Sequence, residues 1–224
     1  MNMIFNWKFA ASILPALSQA GVVSVWITFV SFILALVIGL PLLLLRRSSI
    51  APLAKTTALG VDFIRNTPLL VQLFFLFFVL PDIGIKLTPV ATGIIAMSLH
   101  YGCYMSEVYR AGLEAVPKGQ WDAATALGFS GVHAYRSVIL PQAIPPIIPA
   151  AGNYLIHMFK DTPLLASISV VELMFVSAQI GSDHFQYLEP ISICGLLFLA
   201  MSLAGAELVF CTEWAIGRKW RRKW

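Results

Sequence analysis

The stretch from Gly21 to Leu45 contains no charged side chain. As a helix of 25 residues it would reach about 37 Å, enough to cross a hydrocarbon core of about 30 Å. Four further stretches are predominantly apolar with few charges, at about Ala58–Leu80, Pro89–Leu113, Ala134–Lys160 and Leu188–Thr212. A bilayer admits only helices or closed barrels, because every backbone polar group must find a partner within the chain. The expected fold class is therefore an all-α integral membrane protein with about five transmembrane helices. Composition agrees: 58% of the 224 residues are hydrophobic and 12% are charged, against about 25% charged in an ordinary soluble domain.

Residues 1–20 form an N-terminal segment with Trp7, Phe9 and Pro15, residues 21–213 the membrane domain, and 214–224 a basic tail. No short apolar segment is followed by a small-residue cleavage site, so the first span is expected to stay as an anchor. The formal charge of +4 does not indicate nucleic acid, because the Lys and Arg residues cluster in short loops beside apolar spans. With the N-terminus outside and five spans, the inside segments hold Arg46, Arg47, Lys55, Arg110, Lys118, Arg136 and the five basic residues of the tail. The outside segments hold only Lys8, Lys86 and Lys160, while Arg65 falls within a span. The positive-inside bias then places the 114–136 loop and the tail in the cytoplasm of a cell-membrane protein. Cys103, Cys194 and Cys211 lie in apolar stretches without metal-ligand spacing and read as buried small hydrophobes.

Within the spans, Asp62 and Arg65 are three residues apart and can pair on one helix face. Asn66-Thr67-Pro68 interrupts the second span. Pro141, Pro145, Pro146 and Pro149 are expected to bend or split the fourth, because each removes a backbone donor. Leu164–Gln179 is short for a span and reads as a re-entrant or lining helix.

The stretch Gln120–Pro141 is the most informative polar segment. It contains Gln120-Trp-Asp122-Ala123-Ala124-Thr-Ala-Leu127-Gly128-Phe-Ser130 and ends in Val138-Ile-Leu-Pro141. A short helix is expected at about 119–128, with Asp122 in its first turn, where a carboxylate suits the positive end of the dipole. The alanines leave a smooth surface that another protein can approach. Gly128 is a natural stop in the left-handed conformation, and Ser130 can cap the next helix.

Asp-Ala-Ala, three residues, Gly, nine residues and Val-x-Leu-Pro resembles the Glu-Ala-Ala loop of binding-protein-dependent ABC importer permeases. Arg65-Asn-Thr-Pro-Leu-Leu-Val-Gln72, Glu107-Val-Tyr-Arg110-Ala-Gly, Val116-Pro-Lys-Gly-Gln120, Leu140-Pro-Gln-Ala and Lys160-Asp161-Thr-Pro-Leu resemble segments of the polar amino-acid branch, whose close relatives include ectoine and hydroxyectoine permeases. The resemblance implies a MetI-like type I importer fold. It assigns Gln120, Asp122, Ala123, Ala124, Leu127 and Gly128 to a cytoplasmic coupling helix that docks on an ATPase subunit. Implied partners are ABC ATPase subunits that use ATP and Mg, a second permease chain, identical or homologous, and an extracytoplasmic substrate-binding protein. No cofactor is expected on this chain. Four positions depart from the family pattern: Asp122 stands where Glu is usual, Pro145-Pro146 where a basic pair is frequent, and Pro163 where Ser is usual.

The chain lacks a Gly-x-x-x-x-Gly-Lys-Ser/Thr phosphate loop, a nucleophile elbow and a His-Glu-x-x-His zinc site. It is expected to be no enzyme, with any ATP hydrolysis on another chain. An ionisable group at the bilayer centre costs roughly 3 kcal/mol, so each one asks for a role. Glu107, Asn153, His157, Lys160 and Asp161 are the candidate substrate-binding residues, since opposite charges suit a zwitterion stripped of water. The plainer alternative is that Glu107 and Asp161 pair within the protein and that Lys160 snorkels to the surface. His100 and His157 read first as hydrogen-bonding core residues, Glu172 and Glu207 as intersubunit or interfacial contacts, and Phe74–Phe78 as packing or lipid-facing aromatics. The expected function is a permease that imports a polar amino acid or amino-acid-like zwitterion, such as ectoine or hydroxyectoine, by alternating access. The alternative is an ion-coupled secondary transporter that works without an ATPase.

Overall fold

The computed structural model describes residues 5–221, with side chains through Trp214. Part of the basic tail therefore lies outside the described residues. Among those described there is no strand. Nine α-helices follow in order: α1 (Trp7–Arg46), α2 (Ala51–Arg65), α3 (Leu69–Phe74), α4 (Pro89–Glu114), α5 (Lys118–Ala126), α6 (Gly131–Ala134), α7 (Leu140–Asp161), α8 (Leu173–His184) and α9 (Leu188–Arg221). Single π turns follow α3 (Phe75–Val79) and α6 (Tyr135–Ile139), and 3-10 turns cover Leu80–Ile83 and Thr162–Ile168.

Two of these helices, α1 and α9, are long and apolar enough to cross a membrane, and up to four spans result if each bent helix pair counts as one. Helix α4 has 26 residues, about 39 Å, but carries Glu107, Arg110 and Glu114 in its last turns. The first span is longer than the sequence suggested: most of the expected 1–20 segment belongs to α1. The helix starts early because its end is capped. Asn6 accepts from the Phe9 amide at 3.1 Å, and the buried carboxylate of Glu189 accepts from the Asn6 amide at 2.7 Å.

The expected second span is two helices. The chain breaks at Asn66–Pro68, where the Asn66 side chain donates to the Asp62 carbonyl at 2.7 Å and Pro68 precedes α3. The fourth span corrects the expectation in the other direction. Helix α7 continues through Pro145, Pro146 and Pro149. A π turn stands directly before it, beside Pro141, where the Leu140 amide bonds the Tyr135 carbonyl. Membrane helices tolerate proline where local π geometry and neighbours accommodate the freed groups. The expected 164–179 helix is a 3-10 turn, a break and α8.

The chain divides into two compact units. The first comprises residues 1–34, 67–99 and 155–205, the second 35–66, 100–154 and 206–224. In the first, Ala10, Ile13, Leu17 and Ala20 recur at three- and four-residue spacing on α1 and bury against Leu173, Ile193 and Cys194. In the second, Leu43, Leu113, Val116, Ile139 and Ala143 form the core, with Trp121, Tyr135 and Ile147 around it. Small residues bring its helices close. A Cβ on Gly39 would lie 2.7 Å from that of Met105, and one on Gly112 would lie 2.3 Å from Ile147.

Candidate functional site: an exposed short helix and a carboxylate ringed by arginines

Helix α5 begins after Pro117, whose fixed φ suits a helix entry and which brings no donor to be satisfied. Only Ala124 of this helix is buried, at 2% exposure. Trp121 turns inward and meets Tyr135 edge to face at 5.1 Å. Gln120, assigned by resemblance to the docking surface, is partly buried, and its side-chain carbonyl accepts from the Gln142 amide at 3.1 Å. One side of α5 is thus seated on the second unit's core through Trp121, Ala124 and Gln120.

The other side is open. Asp122, Ala123, Thr125, Ala126 and Gly128 are exposed, and Leu127 is 72% exposed. A bare leucine beside small residues is a surface suited to being covered. Asp122 is not in the first turn as expected. The helix starts at Lys118 and has no acid in its opening turn, so Asp122 lies in the second turn and faces outward. Gly128 adopts φ +71°, the left-handed stop expected of it. Its amide bonds the Thr125 carbonyl, and the Phe129 amide bonds that of Ala124. Ser130 caps α6 by accepting from the His133 amide at 3.4 Å, as its position suggested. Val132, at 71% exposure, extends the apolar surface. The sequence reading missed it, although an apolar residue two positions after the cap was a visible signal.

The second feature is Glu107. Its Oε1 is bonded by Arg46, at the end of α1, and lies 3.4 Å from the guanidinium of Arg65, at the end of α2. Its Oε2 accepts from both Nε and Nη2 of Arg110, at 2.9 and 2.7 Å. Arg110 also bonds Glu114 at 2.6 Å, and Arg65 lies 3.8 Å from Asp62, the pair expected from spacing. The Arg65 guanidinium stacks 5.1 Å over the Tyr104 ring, and the Tyr104 hydroxyl donates to the Arg65 carbonyl at 3.1 Å. Arg46 and Arg110 were legible only as orientation charges and Arg65 only as the partner of Asp62; their convergence on one acid was not.

The remaining candidates are distributed. Asn153 belongs to the second unit, and His157, Lys160 and Asp161 to the first. Their spacing along α7 places them on one helix face, and Asn153, His157 and Lys160 are exposed. His100 is buried, as expected of a core residue, against Tyr101 and Tyr104. Phe74, Phe75 and Phe78 are exposed. Glu207 is exposed on α9.

Glu172 departs from the expected intersubunit or interfacial contact. It is fully buried and caps α8, accepting from the amides of Met174 at 3.0 Å and Phe175 at 2.8 Å, while Ser24 Oγ donates to it at 3.2 Å. Ser24 in turn accepts from the Leu173 amide. An acid before an apolar helix is an N-cap signal, and here that local reading outweighs the quaternary one.

Comparison with known proteins adds to this geometry. A family model described as the inner membrane component of binding-protein-dependent transport systems matches residues 51–216. A probable amino-acid ABC transporter permease of Sinorhizobium fredii is 41% identical over 201 residues, covering 90% of this chain and 87% of the relative. The arginine transport system permease of Bacillus subtilis is 33% identical, covering 88% and 92%. The L-cystine permease of the same organism is 37% identical, covering 84% and 83%. Among solved structures, an amino acid ABC transporter crystallised with histidines superposes with a TM-score of 0.90 at 31% identity, over 94% of this chain and 99% of that one. The MetNI methionine transporter superposes at 0.70 with 22% identity and supports the fold alone.

Proposed function

From the premise that this chain belongs to the family of binding-protein-dependent transport system inner membrane components, as an ABC importer permease of the amino-acid branch, we propose that it imports a polar amino acid or amino-acid-like zwitterion by ATP-driven alternating access. The observation that carries this reading is the open face of α5: Asp122, Ala123 and Ala126 stand exposed on it, and Leu127 and Gly128 at its C-terminal end, while its opposite side is fixed to the core. Such a helix can receive displacement from a partner and pass it to the helices that hold it. The chain itself carries no phosphate-binding loop, so the energy would come from separate ATPase subunits using ATP and Mg. A second permease chain and an extracytoplasmic binding protein complete the assembly. The charge distribution of the sequence supports an orientation with α5 and the C-terminus in the cytoplasm and the N-terminus outside.

Asn153, His157, Lys160 and Asp161 are the proposed ligand contacts. Adjacent Lys160 and Asp161 offer one charge for each end of a zwitterion, and the relatives named for arginine and cystine transport amino acids. Ectoine and hydroxyectoine fall within the same chemistry. Glu107, grouped with these residues because opposite charges suit a zwitterion, is assigned the different role argued below.

The test is uptake into proteoliposomes holding this chain with its ATPase and binding protein. Labelled polar amino acids and ectoine are offered outside, with ATP enclosed or omitted. Accumulation that needs ATP and the binding protein supports the reading. Accumulation that follows a sodium or proton gradient and persists without the ATPase would contradict it.

A further inference from the structure

Three helix segments of the second unit converge on one carboxylate. Arg46 is the last residue of α1, Arg65 the last of α2, and Glu107 and Arg110 lie in the closing turns of α4. Among the described residues, Glu107 is the acid that the structure joins to all three arginines. Asp62 and Glu114 each reach one arginine, at the margins. The side chains of Glu107 and Arg46 are 15% and 16% exposed, so their attraction is less screened than that of a surface pair. Three guanidinium groups face three carboxylates. The cluster therefore has no surplus charge to offer a ligand, and its geometry is that of a fastener.

Its place in the chain gives the fastener a use. Only residues 115–117 separate α4 from α5, and Val116 among them is buried with Leu113 in the second unit's core. A displacement of α5 therefore reaches the end of α4 with little slack. By contrast, the connections from α1 to α2 and from α2 to α3 are open: Arg47, Ser49, Ile50, Asn66 and Pro68 are exposed. Leu43 packs with Leu113 one turn before Arg46, so the ion pairs act on the last turn of α1 and the end of α2, which without them could lag behind α4.

We propose that Glu107 is a positioning residue for energy coupling: it binds the ends of α1, α2 and α4 into one lever, so that movement of α5 is delivered to all three helices. This deepens the proposed function and rests on its ATP-driven reading.

The experiment compares the complete transporter, permease with ATPase and binding protein, in proteoliposomes. Imported substrate and ATP hydrolysed are measured together for wild type, Glu107→Gln, Arg46→Gln and Arg46→Lys. The expected Glu107→Gln complex keeps its subunit ratio and its KM for ATP, but imports about tenfold less substrate per ATP. Arg46→Gln moves the ratio the same way, and Arg46→Lys recovers most of it, because a positive charge is retained opposite the acid. A Glu107→Gln ratio within about twofold of wild type would overturn the proposal. So would a defect confined to a raised KM for substrate, with the ratio normal at saturation, which would return Glu107 to the ligand site. If Glu107→Gln does not assemble, the Arg46 pair decides: equal ratios for Lys and Gln sink the idea, and rescue by Lys supports it. Wild type that imports without ATP would remove the function and the lever together. ATP-dependent wild type with unaltered variants would remove only the lever.

Discussion

Glu172 in the first unit and Glu107 in the second are both shielded acids in an apolar chain, held in opposite ways. Glu172 is surrounded by neutral donors: two amides of the helix it caps and the hydroxyl of Ser24. Its partners are its own near neighbours and one turn of α1. Glu107 is surrounded by full positive charges that arrive from the ends of separate helices. An acid satisfied by a helix terminus fixes where that helix begins. An acid shared among distant guanidinium groups fixes how helices stand relative to each other, and such a joint can transmit force. The first arrangement belongs to folding and the second to working.

The largest effect expected from this contrast is on stability at Glu172. Glu172→Ala takes the side-chain acceptor from the part-buried amides of Met174 and Phe175 and from Ser24, and should destabilise by roughly 3 kcal/mol, read as a fall in melting temperature of the purified chain in detergent. Glu172→Gln keeps one oxygen and should lose about half as much. Equal losses for Ala and Gln would mean that the cap is not what holds α8.

A smaller difference separates two glycines. Gly112→Ala in the second unit would set a Cβ 2.3 Å from Ile147 and 3.0 Å from the Ala143 carbonyl, where backbone cannot easily yield. It should destabilise by about 2 kcal/mol. Gly93→Ala in the first unit meets only the ends of Leu165, at 3.0 and 3.4 Å, and should change stability by less than about 1 kcal/mol. Similar melting shifts for the two variants would mean that the close approach of Ile147 and Ala143 to Gly112 is not what sets its cost.

The smallest stability change, about 1 kcal/mol, is expected for Gly128→Val, because φ +71° disfavours a branched side chain. Its effect should appear in transport. Uptake should fall while the complex still inserts and hydrolyses ATP. Gly128→Asn, which tolerates the left-handed conformation, should retain most uptake. Wild-type uptake by the valine variant would break the docking assignment.

Much of this was legible in residues that act locally. Gly128, Ser130, the Asp62–Arg65 pair and the bounds of α4 follow from spacing and conformational preference, and the structure bears each out. What failed depended on context beyond a turn or two. Asp122 was set in the first turn because the helix start at Lys118 could not be read from a stretch without a side-chain cap. The prolines of α7 were expected to bend or split it, and the helix is not split: it runs on through Pro145, Pro146 and Pro149, with a π turn before it. The length of α1 depended on Glu189, which lies 183 residues away from the amide it accepts from. The arginine cluster required four positions from three helices to meet, and nothing in a single sequence announces such a meeting.

The central claim is that the open face of α5 receives the ATPase. It is tested most directly by disulfide cross-linking in the assembled transporter. Cys103 and Cys194 are buried, and exposed Cys211 is replaced by Ser to remove background. Leu127→Cys is then compared with Leu59→Cys on α2, which is similarly exposed at 61%. Single cysteines are placed along the facing groove of the ATPase. The account predicts a cross-linked permease–ATPase band from Leu127→Cys that changes in yield when ATP is bound, and none from Leu59→Cys. Cross-linking from Leu59→Cys with none from Leu127→Cys would contradict it.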